Sequence, residues 1–499
     1  MRRSWLVSFF IVAASSVACT ALLGDFTVGN GEGPGGCDAT QKTCSGACVS
    51  KEDPNVGCAT DGCSPCAPTV NGAPACKAGA CSFTCSEGFS DCDGDPRTGC
   101  EAKTSTDVSN CGACGTVCGS ANTDTPTKCV TGKCEFACKT GFAHCGAEAD
   151  TGCETNLQTN ALHCGACGHS CLGGECAGGK CQPFQLASAT RPSGVGVDNT
   201  HVYYTFPSVP AIQRVQRDGK CTPAAPCPQD FAGGAVGDPL TSIRGPSAVV
   251  SDGSFVWWTN QASGNLGRRA AALPPGAINN FGPAQSTLPG YIVLGGGKIW
   301  WTSGFGNIDP APHVRKADLD GSNVTTVASY ATPVATFAGF GQIAADAANI
   351  YWASEKSGVF HAAFTDPPCV EGSTCKQYGS VSGPFGIAVD ATYVYWTEPA
   401  SGTVKRAPKA GGQSIPIATG QDNPRGIAVL DTFVYWANTG TGAVSGASIR
   451  RAPQVAAVCD GAGCELVAPV PEPDALIAAD DGIYWTDNSV AGGVYRLAK

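Results

Sequence analysis

The chain has 499 residues, among them 31 cysteines and 66 glycines; only 14% are charged and the formal net charge is -10. Abundant Gly and Pro oppose helix interiors and exclude a helical protein, while a hydrophobic content of 42% excludes a long disordered chain. The acidic balance excludes a nucleic-acid partner, because phosphate binding needs a basic surface.

Arg2 and Arg3 precede an apolar run from Trp5 to Ala14. That run is too short to span a bilayer and reads, over residues 1–18, as a secretory signal peptide. Ser15 to Cys19 is S-S-V-A-C. It resembles the bacterial lipobox, in which the cysteine is acylated and becomes the new N-terminus. Ser16 stands where Leu is usual, and S-V-A also suits an ordinary signal peptidase. Parity favours the lipid: 24 cysteines lie between Cys37 and Cys181, six more form close pairs, and Cys19 is left over. The resemblance implies membrane attachment through Cys19. Because Thr20 is not acidic, it also implies the outer membrane or cell surface. Residues 19–36, rich in Gly, read as a flexible tether.

Residues 37–182 repeat. Cys81, Cys85, Cys92, Cys100, Cys111, Cys114 and Cys118 recur 53 residues later as Cys134, Cys138, Cys145, Cys153, Cys164, Cys167 and Cys171. A partial earlier copy contains Asp53, Cys58, Cys63, Cys66 and Cys76. Units this small cannot bury an adequate apolar core, so cross-links replace it. Twelve bridges are expected, with a connectivity that spacing does not settle. The C-x-x-C pairs Cys63/Cys66, Cys111/Cys114 and Cys164/Cys167 also have zinc-ligand spacing, but export to an oxidising compartment favours disulfides. Asp91, Asp93 and Asp95 alternate like part of a calcium loop, without the spacing of an EF-hand. The region resembles the Cys-Gly-x-Cys-Gly-rich repeats of bacterial surface lipoproteins.

Residues 183–499 carry a second repeat. Aromatic pairs stand at Tyr203-Tyr204, Trp257-Trp258, Trp300-Trp301, Tyr351-Trp352, Tyr395-Trp396, Tyr435-Trp436 and Tyr484-Trp485, 40 to 54 residues apart. That is the size of a four-stranded propeller blade. The fifth unit shows the pattern: Gly386–Asp390, Tyr393–Thr397, Thr403–Ala407 and Ser414–Ala418, each bounded by turn residues. The fold class is therefore mainly β, a seven-bladed β-propeller plus a small disulfide-rich region. After Tyr484-Trp485 only one more strand fits, and one strand too many precedes Tyr203. Residues 183–188 are thus expected to complete blade seven and close the ring. Three close pairs, Cys221/Cys227, Cys369/Cys375 and Cys459/Cys464, are expected to clip loops between third and fourth strands.

Tyr484-Trp485-Thr486-Asp487 matches the motif of the YWTD-type propellers of lipoprotein-receptor ectodomains. Tyr395-Trp396-Thr397-Glu398 and Trp257-Trp258-Thr259-Asn260 approach it; Tyr351-Trp352-Ala353-Ser354 and Tyr435-Trp436-Ala437-Asn438 drift further. The resemblance implies extracellular ligand binding rather than a reaction. Seven units here differ from six blades there, so no binding residue transfers. NHL-type and gluconolactonase-like propellers are similar in layout.

Catalytic motifs are sparse. No G-x-S-x-G, G-x-x-x-x-G-K or H-E-x-x-H occurs. Residues just before the inner strands are the candidates for the channel face: Arg191, Arg244, Asn423, Arg425, Glu472 and Asp474. The expectation is a non-catalytic, monomeric surface-binding or adhesion protein. Its propeller, on a Cys-rich stalk, takes a protein or glycan ligand. The alternatives are a gluconolactonase-like hydrolase, with Asn423, Glu472 and Asp474 around one calcium, and a purely structural envelope lipoprotein.

Overall fold

The computed structural model describes residues 36–59, 62–146, 152–220, 227–233, 243–272, 277–282, 288–304, 313–330, 340–355, 357–378, 383–440, 446–455 and 457–499. Cys19, the leader and Cys221 lie outside them. Among the described residues there is no α-helix, and no helix long and apolar enough to cross a membrane.

All 24 cysteines of the repeat region are paired. They form three complete modules of eight, Cys37–Cys81, Cys85–Cys134 and Cys138–Cys181. The pairing is the same in each: first to third, second to fifth, fourth to seventh, sixth to eighth. In the second module this means Cys85–Cys100, Cys92–Cys114, Cys111–Cys129 and Cys118–Cys134. The earliest copy, legible only in part from sequence, is therefore whole. Each C-x-x-C cysteine bonds a partner outside its own pair, so these thiols are disulfide sulfurs rather than zinc ligands. Sulfur also supplies the interior: Cys111, Cys118 and Cys129 form one buried cluster, and Cys164, Cys171 and Cys176 its counterpart.

The chain divides into two compact units. One holds the first two modules, apart from the segment Ala121–Asp124; the other holds that segment, the third module and the propeller. In the first unit, Asn71 Nδ2 donates to the Cys100 carbonyl at 3.0 Å, so module one clasps module two. In the second unit Asn122 makes the same bond to Cys153.

The second half is a ring of seven antiparallel sheets. In blade five the strands are Ile387–Val389, Tyr393–Glu398, Thr403–Pro408 and Ile415–Thr419, close to the expected spans. Blade seven contributes Pro473–Ala479, Gly482–Asp487 and Gly493–Ala498, and Phe184–Ser188 pairs with the last of these. The ring closes as the strand count requires. The eight tryptophans of this half are fully buried and pack from blade to blade: Trp300 shares a cluster with Trp352 and Phe360, and Tyr395 with Trp436.

Of the three expected clips, two are present among the described residues. Cys369–Cys375 lies between the third and fourth strands of blade four, and Cys459–Cys464 between those of blade six. The third, Cys221/Cys227, includes Cys221, which lies outside the described residues. Cys227 contributes its half-buried side chain to the apolar cluster of Leu186, Val202 and Tyr204, where blades seven and one meet.

The two clipped loops do more than expected. The first half of each pairs in parallel with the outer strand of the preceding blade. Cys369–Glu371 lies along Thr325–Tyr330, and Cys459–Asp460 along Ile415–Thr419. Blades three and five thereby gain a fifth strand that covers an otherwise open edge.

The third module packs on the blade ends remote from where the inner strands begin. Lys180 Nζ reaches Glu465 at 2.7 Å, and Arg496 donates to the Leu172 carbonyl. At the same end Arg217 joins blades one and seven, donating to the Asp198 carbonyl at 2.9 Å and to Asp481 at 3.0 Å.

Candidate functional site

The inner strands start at a repeated Pro, at Pro246, Pro289, Pro424 and Pro473, or three residues after one, at Pro192 and Pro384. Pro lacks an N–H and suits the first residue of a strand. In blades two, three, six and seven a β-bulge follows it. A bulge leaves ladder groups unpaired and re-aims side chains. The Thr of the aromatic motif answers the unpaired N–H. Thr259 Oγ1 accepts from Ala248 at 3.0 Å and donates to the Gly290 carbonyl of the next blade at 2.9 Å. Thr205, Thr397 and Thr486 make the same pair of bonds. This residue is therefore a ring fastener. Blades four and six carry Ala353 and Ala437 instead, which is where the motif drifts. At blade four the Gln342 N–H bonds directly to the Phe385 carbonyl at 2.7 Å. Such approach needs glycine: a Cβ on Gly386 would stand 2.0 Å from the Arg425 carbonyl oxygen.

One residue per blade follows this start: Ser193, Ser247, Gly290, Gly341, Phe385, Arg425 and Asp474. Of these, Ser193, Ser247 and Asp474 line the mouth of a central channel of about 460 Å³. Beyond the mouth the channel runs between the inner strands, past Val195, Val249, Ile292, Ile343, Ile387, Ile427 and Leu476, most of whose side chains are buried between blades. Asp474 is its sole charged residue among the described residues. The carboxylate accepts one hydrogen bond, from Ser193 Oγ at 2.5 Å. It is ringed by protein yet open to the channel. Burial pushes its carboxyl upward, against the Ser193 bond and the attraction of Arg425.

A second cavity, of about 440 Å³, adjoins the mouth where blades seven and one meet. It brings together Arg191, Glu472 and Asp474 from the sequence candidates, with Ser193, Thr439 and Asn488. Arg191 and Glu472 face each other at 3.7 Å, both half exposed. Such a surface pair is worth about 0–1 kcal/mol and leaves both free to exchange partners. The other candidates take different places. Asn423 donates to Thr439 Oγ1 at 2.6 Å. Arg425 lies over the Phe385 ring at 4.5 Å, and that ring meets Tyr291 edge-on. Arg244 is exposed and lines neither cavity. Asn423, Glu472 and Asp474 thus have three different neighbours, Thr439, Arg191 and Ser193. Ser193, Tyr291 and Asn488 were not singled out from sequence. The register after each Pro carries the signal for Ser193; nothing local marks the other two.

In module two the acidic group is Asp91, Asp93 and Glu101, whose oxygens lie within 4.8 Å of one another. Asp95, expected as the third member, turns away to pair with Arg97 at 2.5 Å. The repeat places His144 at the position of Asp91, and it meets Glu154 at 3.0 Å. Burial acts to raise the Glu154 carboxyl. Hydrogen bonds from its own N–H, His144, Cys145 and Gly146 outweigh that and bring it down to about 2.

No family model matches the chain, and no curated protein matches it. Among solved structures it is similar to a streptogramin B lyase, at 15% identity and a TM-score of 0.47, over 63% of this chain and 97% of that one. The inactive H270A virginiamycin B lyase of Staphylococcus aureus with quinupristin gives 18% and 0.47, over 64% and 98%. The nidogen/laminin complex gives 16% and 0.33, over 47% and 84%. These likenesses concern the fold alone.

Proposed function

We propose that this is an exported, lipid-anchored surface protein that binds a ligand at the channel mouth of its propeller. The observation that carries the reading is the cavity where Arg191, Ser193, Glu472, Asp474 and Asn488 converge. It is a concave site with a few polar groups on a rigid scaffold, the usual form of a binding site. The fourteen disulfides among the described residues support folding in an oxidising, extracytoplasmic compartment. Cys19 is the anchor in this reading, and the Cys-rich modules are the spacer between anchor and propeller. The ligand is a protein or glycan of the envelope, or a smaller molecule found there.

Metabolic labelling with palmitate tests the anchor: the label is expected on the wild type and absent from Cys19→Ser. Crosslinked capture from envelope extracts tests the binding. A ligand lost on the double substitution Arg191→Ala and Glu472→Ala supports the site. Capture unaffected by that change, or no capture, counts against it.

A further inference from the structure

We infer that the loop segment Cys369–Glu371 is a pH-gated strap: it lies along the outer edge of blade three in acidic surroundings and detaches, opening that edge to water, once Glu371 loses its proton. The device is separate from the ligand site at the channel mouth.

The buried indole N–H groups of the aromatic pairs show what is unusual about Glu371. Trp258 donates to Asn260 at 3.1 Å and Trp436 to Gln421 at 2.9 Å, both neutral amides. Trp396 donates to Glu398 at 3.0 Å, and that carboxylate is paired with the Lys405 ammonium at 2.9 Å. In blade four, Ser354 stands at the place of Asn260 and Glu398, and the acceptor comes from the strap instead: Trp352 donates to Glu371 at 2.6 Å. Glu371 is 2% exposed. The other groups acting on its carboxyl are the Ser354 and Ser357 hydroxyls. Among the described residues no cation pairs with it. Thr325–Tyr330, the strand beneath the strap, has no acid or base besides the Tyr330 phenol. On the third strand of blade four, His361 lies against the rings of Tyr351 and Tyr378, on the face opposite Trp352. Lys376, beyond the clip, pairs with Asp366 at 3.1 Å.

A carboxylate withdrawn from water without a cation is costly, so the docked strap favours the protonated acid. Burial accordingly pushes the Glu371 carboxyl up to about 7, against the bonds from Trp352, Ser354 and Ser357. The docked strap holds a proton that the detached strap releases, so docking weakens as pH rises through about 7. Little else holds it. The strap pairs with blade three at three positions, Cys369 with Ala328, Val370 with Ser329 and Glu371 with Tyr330. An edge segment with so short a ladder opens at far less cost than the core. The Cys369–Cys375 bridge closes the loop on itself, so it moves as one piece. Blade six has the matching strap, Cys459–Asp460 on Ile415–Thr419. Its acid, Asp460, is exposed and accepts the Thr419 hydroxyl at 2.8 Å. That strap has no buried acid and is an internal reference.

The test is hydrogen exchange on the full chain carrying Cys19→Ser at pH 5.5 and pH 8.5. Protection of segments 325–330 and 369–371 is read as a ratio to that of 415–419 and 459–460 in the same sample, which cancels the chemical pH dependence of exchange. The ratio is expected to fall by at least about tenfold at the higher pH. Glu371→Gln keeps an oxygen for the indole N–H and cannot ionise; its ratio should stay flat. Tryptophan fluorescence checks that this variant is folded, and the wild-type ratio decides the matter if it is not. A flat ratio in wild type, a fall that persists in folded Glu371→Gln, or loss of protection across all blades together would overturn the inference.

Discussion

The two halves of this chain solve one problem in opposite ways. The modules of residues 37–181 have little apolar surface to bury, and their interior is sulfur. Their order comes from covalent restriction of the unfolded chain, at about 2–4 kcal/mol per bridge. The propeller has a full core of eight buried tryptophans and their blade-to-blade neighbours, with few bridges placed only at loop edges. The repeat of the first half is therefore written in one residue type, and that of the second in a pattern of size and polarity.

Reduction separates the two most strongly. With excess thiol, hydrogen exchange should show loss of protection throughout the first two modules, while blades two to six stay protected. Simultaneous loss in both would mean that the propeller depends on the modules. Next in size, Trp396→Ala removes the blade-five anchor and should destabilise the propeller by about 3–5 kcal/mol in urea unfolding. The modules' bridges should remain intact by thiol titration.

Glu371 gives a pH-dependent contrast. It sits in the Cys369–Cys375 loop and accepts the Trp352 indole N–H at 2.6 Å. Burial pushes its carboxyl up to about 7, against that hydrogen bond and those of Ser354 and Ser357. The folded state therefore holds a proton that the unfolded chain, near its ordinary 4.5, releases. The stabilisation is complete below about 4.5 and is lost as pH rises through about 7. Its full size is about 3 kcal/mol. Glu371→Gln should flatten that slope relative to wild type in urea titrations at pH 5 and pH 8. An unchanged slope would place the effect elsewhere.

Smaller changes sharpen the comparison. Thr397→Val removes a hydroxyl that accepts from the Gly386 N–H at 2.9 Å and donates to the Arg425 carbonyl at 2.7 Å. The expected cost is about 1–3 kcal/mol, because two buried groups lose their partner. Lys180→Ala breaks an exposed pair with Glu465 and should shift thermal unfolding little, within about 1 kcal/mol.

Much of this was legible in the sequence because repetition averages out local ambiguity. The seven aromatic pairs gave blade number, the surplus strand before Tyr203 gave the closure, and cysteine parity gave the bridge count of the modules. The connectivity did not follow, since eight cysteines allow about a hundred pairings and spacing carries no direction. The parallel fifth strands were hidden for a related reason: a three-residue piece such as Cys369–Glu371 has no periodicity of its own. At the mouth, proximity to Pro picked out Asp474, but the partner Ser193 lies some 280 residues away in the chain. Asp95 misled because alternation along a turn places acids at intervals without saying which way each one faces.

The strand Phe184–Ser188 pairs with Gly493–Ala498, so roughly 300 residues are synthesised between the two. At about 5–20 residues per second, the earlier strand waits on the order of 15–60 s for its neighbour. For that interval it lacks the neighbour that completes its sheet. No circular molecule exists until the last strand has been delivered. A ribosome that stalls or a truncation that removes the final strand thus leaves an open-ended arc rather than a slightly smaller ring. Production of this protein is accordingly expected to be far more sensitive to damage in the strand Gly493–Ala498 than to changes of equal size in its middle blades.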